Sequence, residues 1–220
     1  MYEFDLVVGL TGHIGAGKDT FCQHLAPHGF EFMGMGDAIR AAAASLGITE
    51  TSENYRGQLQ DLGDRRKRES CDGGYWAKQL LATAGQRGVK KLIINGIRNP
   101  AEVSTLRDGA KLPHCFVLVG ITAPTEMRYR RLAARRRAGD QLSLEKFLAD
   151  DDRDRGIGQP PEGQHTDRCL ALVDWPNLYC NGGTPDAFRV WIDEWLVLTA
   201  EWQASEDRRH RDESYGQGIR

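Results

Sequence analysis

The feature that most constrains this chain is a glycine-rich stretch near its N-terminus, Val8–Thr20. It contains the spacing Gly12-x4-Gly17-Lys18, with an apolar run before it and apolar residues at helical spacing after it. Glycines let consecutive backbone N–H groups turn toward an anion, the helix start adds positive potential, and a lysine can reach the outer phosphates. A plain strand-to-helix turn is the alternative, but the spacing, the lysine and the flanking run together favour a phosphate-binding loop.

The loop departs from the usual pattern at one position. Asp19 follows Lys18 where Ser or Thr is normally found, and Thr20 comes next. The direct hydroxyl ligand for magnesium is therefore missing, which makes Asp19 a candidate Mg²⁺ contact, directly or through water. Lys18 is expected to contact the γ-phosphoryl group, and Thr20 to cap an inner phosphate. The predicted nucleotide contacts are Gly12, His13, Ile14, Gly15, Ala16, Gly17, Lys18, Asp19 and Thr20.

Length and composition narrow the class of protein. A chain of 220 residues can bury a sizeable core and is expected to form one domain. The formal net charge of −2 argues against a general polyanion binder, although local patches still matter. Five cysteines without a C-x-x-C pair indicate reduced thiols rather than disulfides or zinc. Because no apolar run approaches the roughly 18 residues that span a bilayer and no secretory signal is visible, we expect a soluble, cytoplasmic protein without membrane contact.

Strand and helix patterns alternate along the sequence. The predicted strands are Phe4–Leu10, Phe30–Met33, Lys91–Asn95, Cys115–Ile121 and Asn177–Cys180. The predicted helices are Lys18–Ala26, Asp37–Leu46, Tyr55–Arg68, Tyr75–Arg87, Pro100–Arg107, Thr125–Arg137, Leu144–Asp154 and Pro185–Trp202. This alternation predicts an α/β fold in three α/β/α layers, with a parallel central sheet and ligands at the carboxyl ends of its strands. Residues 1–204 are expected to form the domain, and residues 205–220 a charged, flexible tail.

Two arginines are candidates for binding a second, acceptor molecule. Asp37 and Arg40 open the second predicted helix three residues apart and so share a face. They are either a helix cap with a solvated arginine, or an acceptor contact with a carboxylate near the reacting oxygens, and spacing alone leaves these interpretations balanced. Arg98 follows the strand Lys91–Asn95 in a polar turn at the same edge as the loop, so a functional role is favoured there.

An arginine-rich segment precedes two aromatic residues between positions 55 and 76. Its four arginines, with Tyr75 and Trp76, could grip a nucleotide by charge and stacking. The alternative is a charged surface helix followed by an aromatic core anchor. Taken alone the segment favours that alternative, so Tyr75 and Trp76 are substrate-binding candidates only in combination with the other sites.

A strongly basic helix follows the fourth predicted strand. Six arginines fall within ten residues, and three of them, Arg128, Arg131 and Arg135, share one helical face. An acidic stretch comes next, Glu145–Asp154. The plainer interpretation is two solvated helices that pair opposite charges at little gain in stability. The other is a helical lid over residues 128–156 that brings arginines onto a transferring phosphoryl group and excludes water.

With these pieces in place, the chain resembles the nucleoside monophosphate kinase group of P-loop proteins. The segment Gly36–Arg40 is similar to the helix start of adenylate kinases whose arginine binds the acceptor phosphate. The segment Asn95–Arg98 is similar to their substrate-binding turn, again with an arginine at its end. Arg131 and Arg135 match their lid arginines. The resemblance spans about residues 4 to 200, and the loop is its most specific part.

Two further groups share short motifs with the chain. Arg153-Asp154 and the segment Asn181–Thr184 are similar to archaeal dephospho-coenzyme-A-kinase-like proteins. Gly-Lys-Asp-Thr in the loop and the segment Tyr75–Lys78 look like tailed-phage deoxynucleoside monophosphate kinases. A related phage branch phosphorylates 5-hydroxymethyluracil within DNA. That resemblance implies DNA as an alternative acceptor and the host cytoplasm as the location.

The resemblance implies transfer of the γ-phosphoryl group of ATP, with ATP and Mg²⁺ as cofactors. It implies catalytic roles for Lys18 at the donor and for Arg131 and Arg135 over the reacting centre. Arg40 and Arg98 would then hold the acceptor. Positioning and charge neutralisation supply most of the catalysis in reactions of this class.

One departure from adenylate kinases concerns the metal. Asn95 stands where they carry Asp, and an amide cannot replace that charge. Asp37 and Asp19 are therefore the acidic candidates for Mg²⁺. An acceptor phosphate is already ionised and needs no base, whereas an acceptor hydroxyl does, and for that role Asp37 is the best-placed carboxylate.

The acceptor stays open at this stage. A (deoxy)nucleoside monophosphate is the first expectation, and hydroxymethylated DNA or a dephospho-coenzyme-A-like molecule are the alternatives within the enzyme class. A non-catalytic switch, in which bound nucleotide orders the arginine helix for a protein partner, is the alternative outside it. The guanine-specific Asn-Lys-x-Asp motif is absent, which weakens a GTPase interpretation. The sequence predicts a nucleotide as partner and sets no oligomeric state.

Overall fold

Five parallel strands form the sheet at the centre of the protein. The computed structural model describes residues 3–110, 113–135 and 143–217. The strands are β1 Leu6–Gly12, β2 Phe30–Gly34, β3 Lys91–Ile97, β4 Phe116–Thr122 and β5 Leu178–Cys180. Their spatial order is β2-β3-β1-β4-β5, and every neighbouring pair is parallel. All strands therefore end at one edge of the sheet.

Helices connect the strands, as parallel pairing requires. The α-helices are α1 Lys18–Leu25, α2 Met35–Ser45, α3 Tyr55–Glu69, α4 Tyr75–Gln86, α5 Pro100–Gly109, α6 Thr125–Arg135, α7 Leu144–Arg155, α8 Thr166–Leu170 and α9 Pro185–Gln217. Short 3₁₀ turns occupy Ala26–His28 and Pro113–Cys115. The chain divides into two compact units, Met1–Gly182 and Gly183–Arg220, and α9 forms most of the second. The predicted α/β fold with a parallel central sheet is confirmed.

Strand β1 lies in the middle of the sheet, with a partner on each side. Val8 pairs with Ile93 of β3 and with Val117 of β4. All seven residues of β1 are buried. A strand covered on both faces has no solvent side, so five of its residues, Leu6–Leu10, form a continuous apolar run rather than an alternating one. This run is what made the strand predictable.

Each predicted strand and helix is present, with ends shifted by a few residues. Two elements differ more. Helix α8 was not predicted, because five residues are too short to show a helical period. Helix α9 continues to Gln217 instead of ending at Trp202, and its polar part includes the ion pair Arg209–Glu206 at 2.7 Å, one helical turn apart. The predicted helix and lid residues at 136–142, and residues 218–220 of the predicted tail, lie outside the described chain.

Two expectations about the chain as a whole can be compared with the structure. None of the five cysteines, all of which lie in the described chain, forms a disulfide. Among the helices that the structure describes, none combines the length and the hydropathy needed to cross a membrane.

A buried ion pair joins α3 to the start of α5. Lys67 Nζ lies 2.7 Å from Glu102 Oε1, and the side chains are only 6 and 4 % exposed. The second oxygen of Glu102 accepts the backbone N–H groups of Arg98 at 2.9 Å and Asn99 at 3.1 Å. The pair therefore fixes the turn that follows β3, because Glu102 holds both a distant helix and the backbone of the turn.

Replacing Lys67 with Met is expected to lower the free energy of unfolding by about 3–5 kcal/mol, because it leaves the Glu102 carboxylate buried without a counter-charge. Urea denaturation at pH 7 measures this. The control is Arg66→Met, which removes an exposed pair with Glu69 from the same helix. That change is expected to cost less than about 1 kcal/mol. Equal costs for the two variants would contradict the structural role of the buried pair.

Candidate active site

The phosphate-binding loop leaves β1 at the carboxyl edge of the sheet and leads into α1. Gly12 has a φ of +142°, and a Cβ atom there would lie 2.0 Å from the carbonyl oxygen of Ile121 on β4. Only glycine permits so close a passage of the two backbones. On the other side, Thr11 donates its hydroxyl to the carbonyl of Ile97 on β3 at 2.9 Å. The loop therefore starts from a position set by both neighbouring strands.

Lys18 folds back over this loop. Its Nζ donates to the carbonyl oxygens of Gly12 at 2.6 Å and His13 at 2.9 Å. Burial lowers the pKa of Lys18 to about 8, while the nearby Asp154 carboxylate opposes that effect and Arg98 adds to it. The lysine is thus desolvated and held by carbonyl oxygens at the place where phosphate oxygens are expected.

His13, within the loop, is tied to the region around α8. Its Nε2 hydrogen-bonds Asp167 Oδ1 at 2.8 Å, and Arg155 donates to the other oxygen of Asp167 at 3.0 Å. Burial raises the pKa of Asp167, but the hydrogen bonds from His13 and Arg155 outweigh it and the pKa is lowered. Asp167 therefore stays ionised and links the loop to the end of α7.

Arg128, at the start of the basic helix α6, is a buried clamp. It donates to both oxygens of Asp151 on α7, at 2.5 and 2.8 Å. It also donates to the carbonyl of Ala123 at 3.0 Å and to that of Ile14 in the loop at 3.2 Å. With only 2 % of its surface exposed, Arg128 is fully engaged in holding the loop and α7 together.

The other two arginines on that face also reach the loop. Arg131 donates to the carbonyl of Asn181 at 3.0 Å and is 3.5 Å from the carbonyl of Ala16. Asn181 itself is buried and donates to Ala16 at 2.8 Å. Arg135 lies 3.7 Å from Asp19 Oδ2. Arg131 and Arg135 therefore lie next to the loop, while Arg130 on the same helix is exposed, and a closing lid stays a prediction.

Asp19 and Asn95 lie together at this edge and carry side-chain oxygens of the kind that Mg²⁺ prefers, and the predicted role of Asp37 at the metal stays a prediction. Asn95 Nδ2 donates to Asp19 Oδ1 at 3.1 Å, and the buried Asn95 Oδ1 has no hydrogen-bond partner among the described residues. Among all the residues that the structure describes, no group of three or more His, Cys, Asp or Glu side chains is arranged to bind a metal. Magnesium needs few protein ligands where phosphates supply the rest, so one carboxylate with a neighbouring amide oxygen fits it.

The predicted acceptor residues lie along the same edge. Asp37, in the first turn of α2 just after β2, forms an exposed ion pair with Arg40 one turn later. Gly34, the last residue of β2, is in register with Asn95 of β3. Arg98 follows β3 directly, and its Nε lies 2.5 Å from Asp154 Oδ1. Arg98 is therefore beside the loop, whereas Asp37 and Arg40 follow β2, two strands away from β1.

Trp76 lies in the hydrophobic core, and Tyr75 packs against that core. Trp76 is 4 % exposed, packs in the hydrophobic core and donates its indole N–H to the carbonyl of Gly63 at 3.1 Å. Tyr75 is half-buried and packs edge-on against Trp76, with ring centroids 5.0 Å apart. Trp76 thus occupies the core-anchor position, the alternative to nucleotide stacking, because its ring is already enclosed.

Several side chains of the site were not among the predicted contacts. Asp151 and Asp154 belong to an acidic stretch whose plain interpretation is a solvated helix, yet both are buried against arginines. Their spacing of three residues places them on one face and is the one local indication available. Asp167 carries no such indication, because its partners His13 and Arg155 lie in separate parts of the chain.

The fold and the loop together define a P-loop protein with a kinase-like α/β architecture. A crystal structure of TT1252 from Thermus thermophilus superposes with a TM-score of 0.57 at 18 % identity, over 90 % of this chain and 98 % of that one. Shikimate kinase from Acinetobacter baumannii gives a TM-score of 0.51 at 20 % identity, over 89 and 93 %. Likenesses at these identities concern the fold alone.

Sequence comparison gives the family. Residues 8–150 match the family model described as an AAA domain. A UPF0200 protein of Pyrococcus horikoshii is 31 % identical over 157 residues, which cover 70 % of this chain and 80 % of the relative. The chain belongs to this AAA-domain family of P-loop proteins, and the UPF0200 protein is its relative.

Binding of ATP is expected to weaken as the pH rises through about 8, the pKa of Lys18. The protonated lysine is the form that attracts phosphate, and above that pH the ligand-free protein must take up a proton to bind. Isothermal titration calorimetry is expected to show a rise in Kd of about three- to tenfold between roughly pH 7.5 and 9. The control, Lys18→Met, is expected to bind weakly and without this slope. A flat profile for the wild type would contradict a role for the Lys18 charge.

Proposed function

We propose that the protein transfers the γ-phosphoryl group of ATP to a (deoxy)nucleoside monophosphate. The supporting observation is that basic groups from four different parts of the fold lie along the edge where the strands end. Lys18 starts α1, Arg40 lies in α2, Arg98 follows β3, and Arg131 projects from α6. A reaction in which two phosphate-bearing anions approach each other depends on this kind of fixed counter-charge.

The donor side is built around the loop. Its backbone N–H groups and the Lys18 ammonium hold the phosphates, and Thr20 caps an inner phosphate. Mg²⁺, when bound, would offset negative charge on these phosphates, with Asp19 as its protein contact and Asn95 Oδ1 beside it. Arg131 and Arg135 lie over the same loop and stabilise charge that develops on the transferred group.

The acceptor side is formed by Arg98 and Arg40. Arg98 is next to the loop and binds the phosphate that receives the γ-phosphoryl group. Arg40 is held by Asp37 at the end of β2, where a nucleotide extending along the edge would meet it. Because a phosphate acceptor is already ionised, the role of Asp37 in this reaction is to position Arg40 rather than to remove a proton.

Other acceptors of the same site would give different products. Hydroxymethylated DNA, suggested by the resemblance to phage kinases, would place the new phosphate in polymer. A dephospho-coenzyme-A-like acceptor would give a product of distinct mass. A nucleotide switch would convert ATP to ADP without any phosphorylated acceptor.

The direct test incubates the protein with labelled ATP, Mg²⁺ and a panel of these acceptors, followed by product mass. We expect label on a nucleoside monophosphate. Lys18→Ala is expected to reduce transfer by about a hundredfold or more while leaving the fold intact, because it removes a charge that acts on the reacting phosphate. Lys91→Ala is the matched control, because Lys91 begins β3 and so lies at the edge of the sheet opposite to the loop. Turnover by Lys18→Ala at the wild-type rate, or label found only in DNA, would overturn the proposal.

Replacing Arg40 with Ala is expected to raise KM for the acceptor about tenfold while leaving KM for ATP unchanged, because the removed charge serves only one substrate. Steady-state kinetics with each substrate varied in turn measures this. Arg87→Ala, which breaks a comparable exposed pair with Glu31, is the control and is expected to change neither constant. A change confined to the ATP constant would remove Arg40 from the acceptor site.

A further inference from the structure

Helix α7 carries three buried carboxylates, Asp150, Asp151 and Asp154, and the last two lie one turn apart and face arginines of the site. The side chains of Asp151 and Asp154 are 4 and 1 % exposed. Asp151 faces Arg128 beside the loop, and Asp154 faces Arg98 at the end of β3. Burying a carboxylate costs free energy unless a counter-charge pairs with it. The two arginines supply this pairing only while α7 keeps its position.

The two pairs differ in how well they are hydrogen-bonded. Arg128 donates to both oxygens of Asp151 with good alignment. Arg98 Nε and Asp154 Oδ1 are 2.5 Å apart, yet among the described residues neither atom has an aligned hydrogen-bond partner. A charged contact without aligned hydrogen bonds is the weaker of the two, because desolvation is only partly compensated. The Arg98–Asp154 pair is therefore the one that a better anion can replace.

Asp154 also keeps one of its oxygens engaged elsewhere. Oδ2 accepts the hydroxyl of the buried Thr166 at 3.2 Å. The carboxylate is thus held at its position by α8 and turned with its other oxygen toward Arg98. Asp154 is also close enough to Lys18 for its charge to raise the pKa of that lysine. Burial has the larger, opposite effect on the same pKa.

This location sets Asp154 in competition with a ligand. It supplies negative charge in contact with Arg98 of the acceptor side and within electrostatic reach of Lys18 on the donor side. A phosphate entering the same space carries charge of the same sign, so the two repel each other. Arg98 can pair with the Asp154 carboxylate or with the phosphate. Which of them it binds depends on which forms the stronger hydrogen-bonded ion pair.

We propose that Asp154 is a specificity-determining residue that occupies the anion subsite of Arg98 until a phosphate dianion displaces it. The inference rests on the proposed function, since it places the acceptor phosphate on Arg98. A phosphate offers three oxygens and a higher charge, and so satisfies the Nε that Asp154 leaves without an aligned partner. A neutral nucleoside has no group to make this exchange and is excluded. The Asp151–Arg128 pair keeps α7 attached while Asp154 is displaced.

The test measures binding without ATP. Isothermal titration calorimetry compares dAMP, dCMP, dGMP and dTMP with the matching nucleosides, for the wild type, Asp154→Asn and Asp152→Asn. Asparagine keeps the size of the side chain and can still accept from Thr166. Asp152 is exposed on the same helix, so its variant controls for the change in net charge. Asp154→Asn is expected to lower the Kd of at least one monophosphate about tenfold, since a like charge is removed from the site. Asp152→Asn is expected to match the wild type.

Results that contradict the role of Asp154 can be told apart from results that contradict the proposed phosphotransfer. Unchanged or weaker monophosphate binding by Asp154→Asn, or an equal gain in Asp152→Asn, would overturn the inference. So would a loss of phosphoryl transfer with unchanged Kd, which would assign Asp154 to the transfer step rather than to monophosphate binding. Tighter binding by Asp154→Asn without any transfer by the wild type would support the inference and count against the proposed phosphotransfer.

A measurement on the wild type covers the case in which Asp154→Asn does not fold. Hydrogen exchange followed by mass spectrometry is expected to show faster exchange in the peptide around Asp154 when a bound monophosphate replaces its contact with Arg98. The loop is expected to exchange more slowly in the same experiment. Unchanged or slower exchange around Asp154, with the monophosphate bound, would contradict the displacement.

Discussion

The rest of the site depends on the hydrogen bonds and the ion pair that the guanidinium group of Arg128 makes. It holds the loop at Ile14, the end of β4 at Ala123 and the acidic helix α7 at Asp151. A buried pair of this kind often adds little to stability compared with hydrocarbon of the same volume. Its contribution here is geometric, because one side chain sets the relative positions of the loop, the basic helix and the acidic helix.

The basic groups that face the loop are each bound to a carbonyl or carboxylate oxygen of the protein itself. Lys18 is held by loop carbonyls, Arg131 by the carbonyl of Asn181, and Arg98 by Asp154. Ligand binding at such a site exchanges partners rather than adding contacts to empty space. The net affinity is then a small difference between large terms, whereas selectivity between ligands that can and cannot make the exchange is high.

The parts of the site that could be predicted are those set by neighbours in sequence. The apolar run of β1 and the glycine spacing of the loop are local, and the position of Arg98 follows from parallel topology. The burial of Asp154 could not be predicted, because a charged helix face looks the same whether it meets water or a distant arginine. Trp76 shows the converse, since an aromatic residue beside arginines suits either a binding surface or the core, and only packing decides between them.

Asn99 restricts how α7 can move. Its side chain caps α5 through Ala101 and donates to the carbonyls of Pro161 and Gly163, both at 2.9 Å. The chain beyond α7 is therefore fastened to the turn after β3, while Asp151 fastens the middle of the helix. Between these two attachments lies Gly156, with a φ of +108° that other residues rarely adopt. These two attachments confine any displacement of Asp154 to the end of α7 and the short connection that follows it.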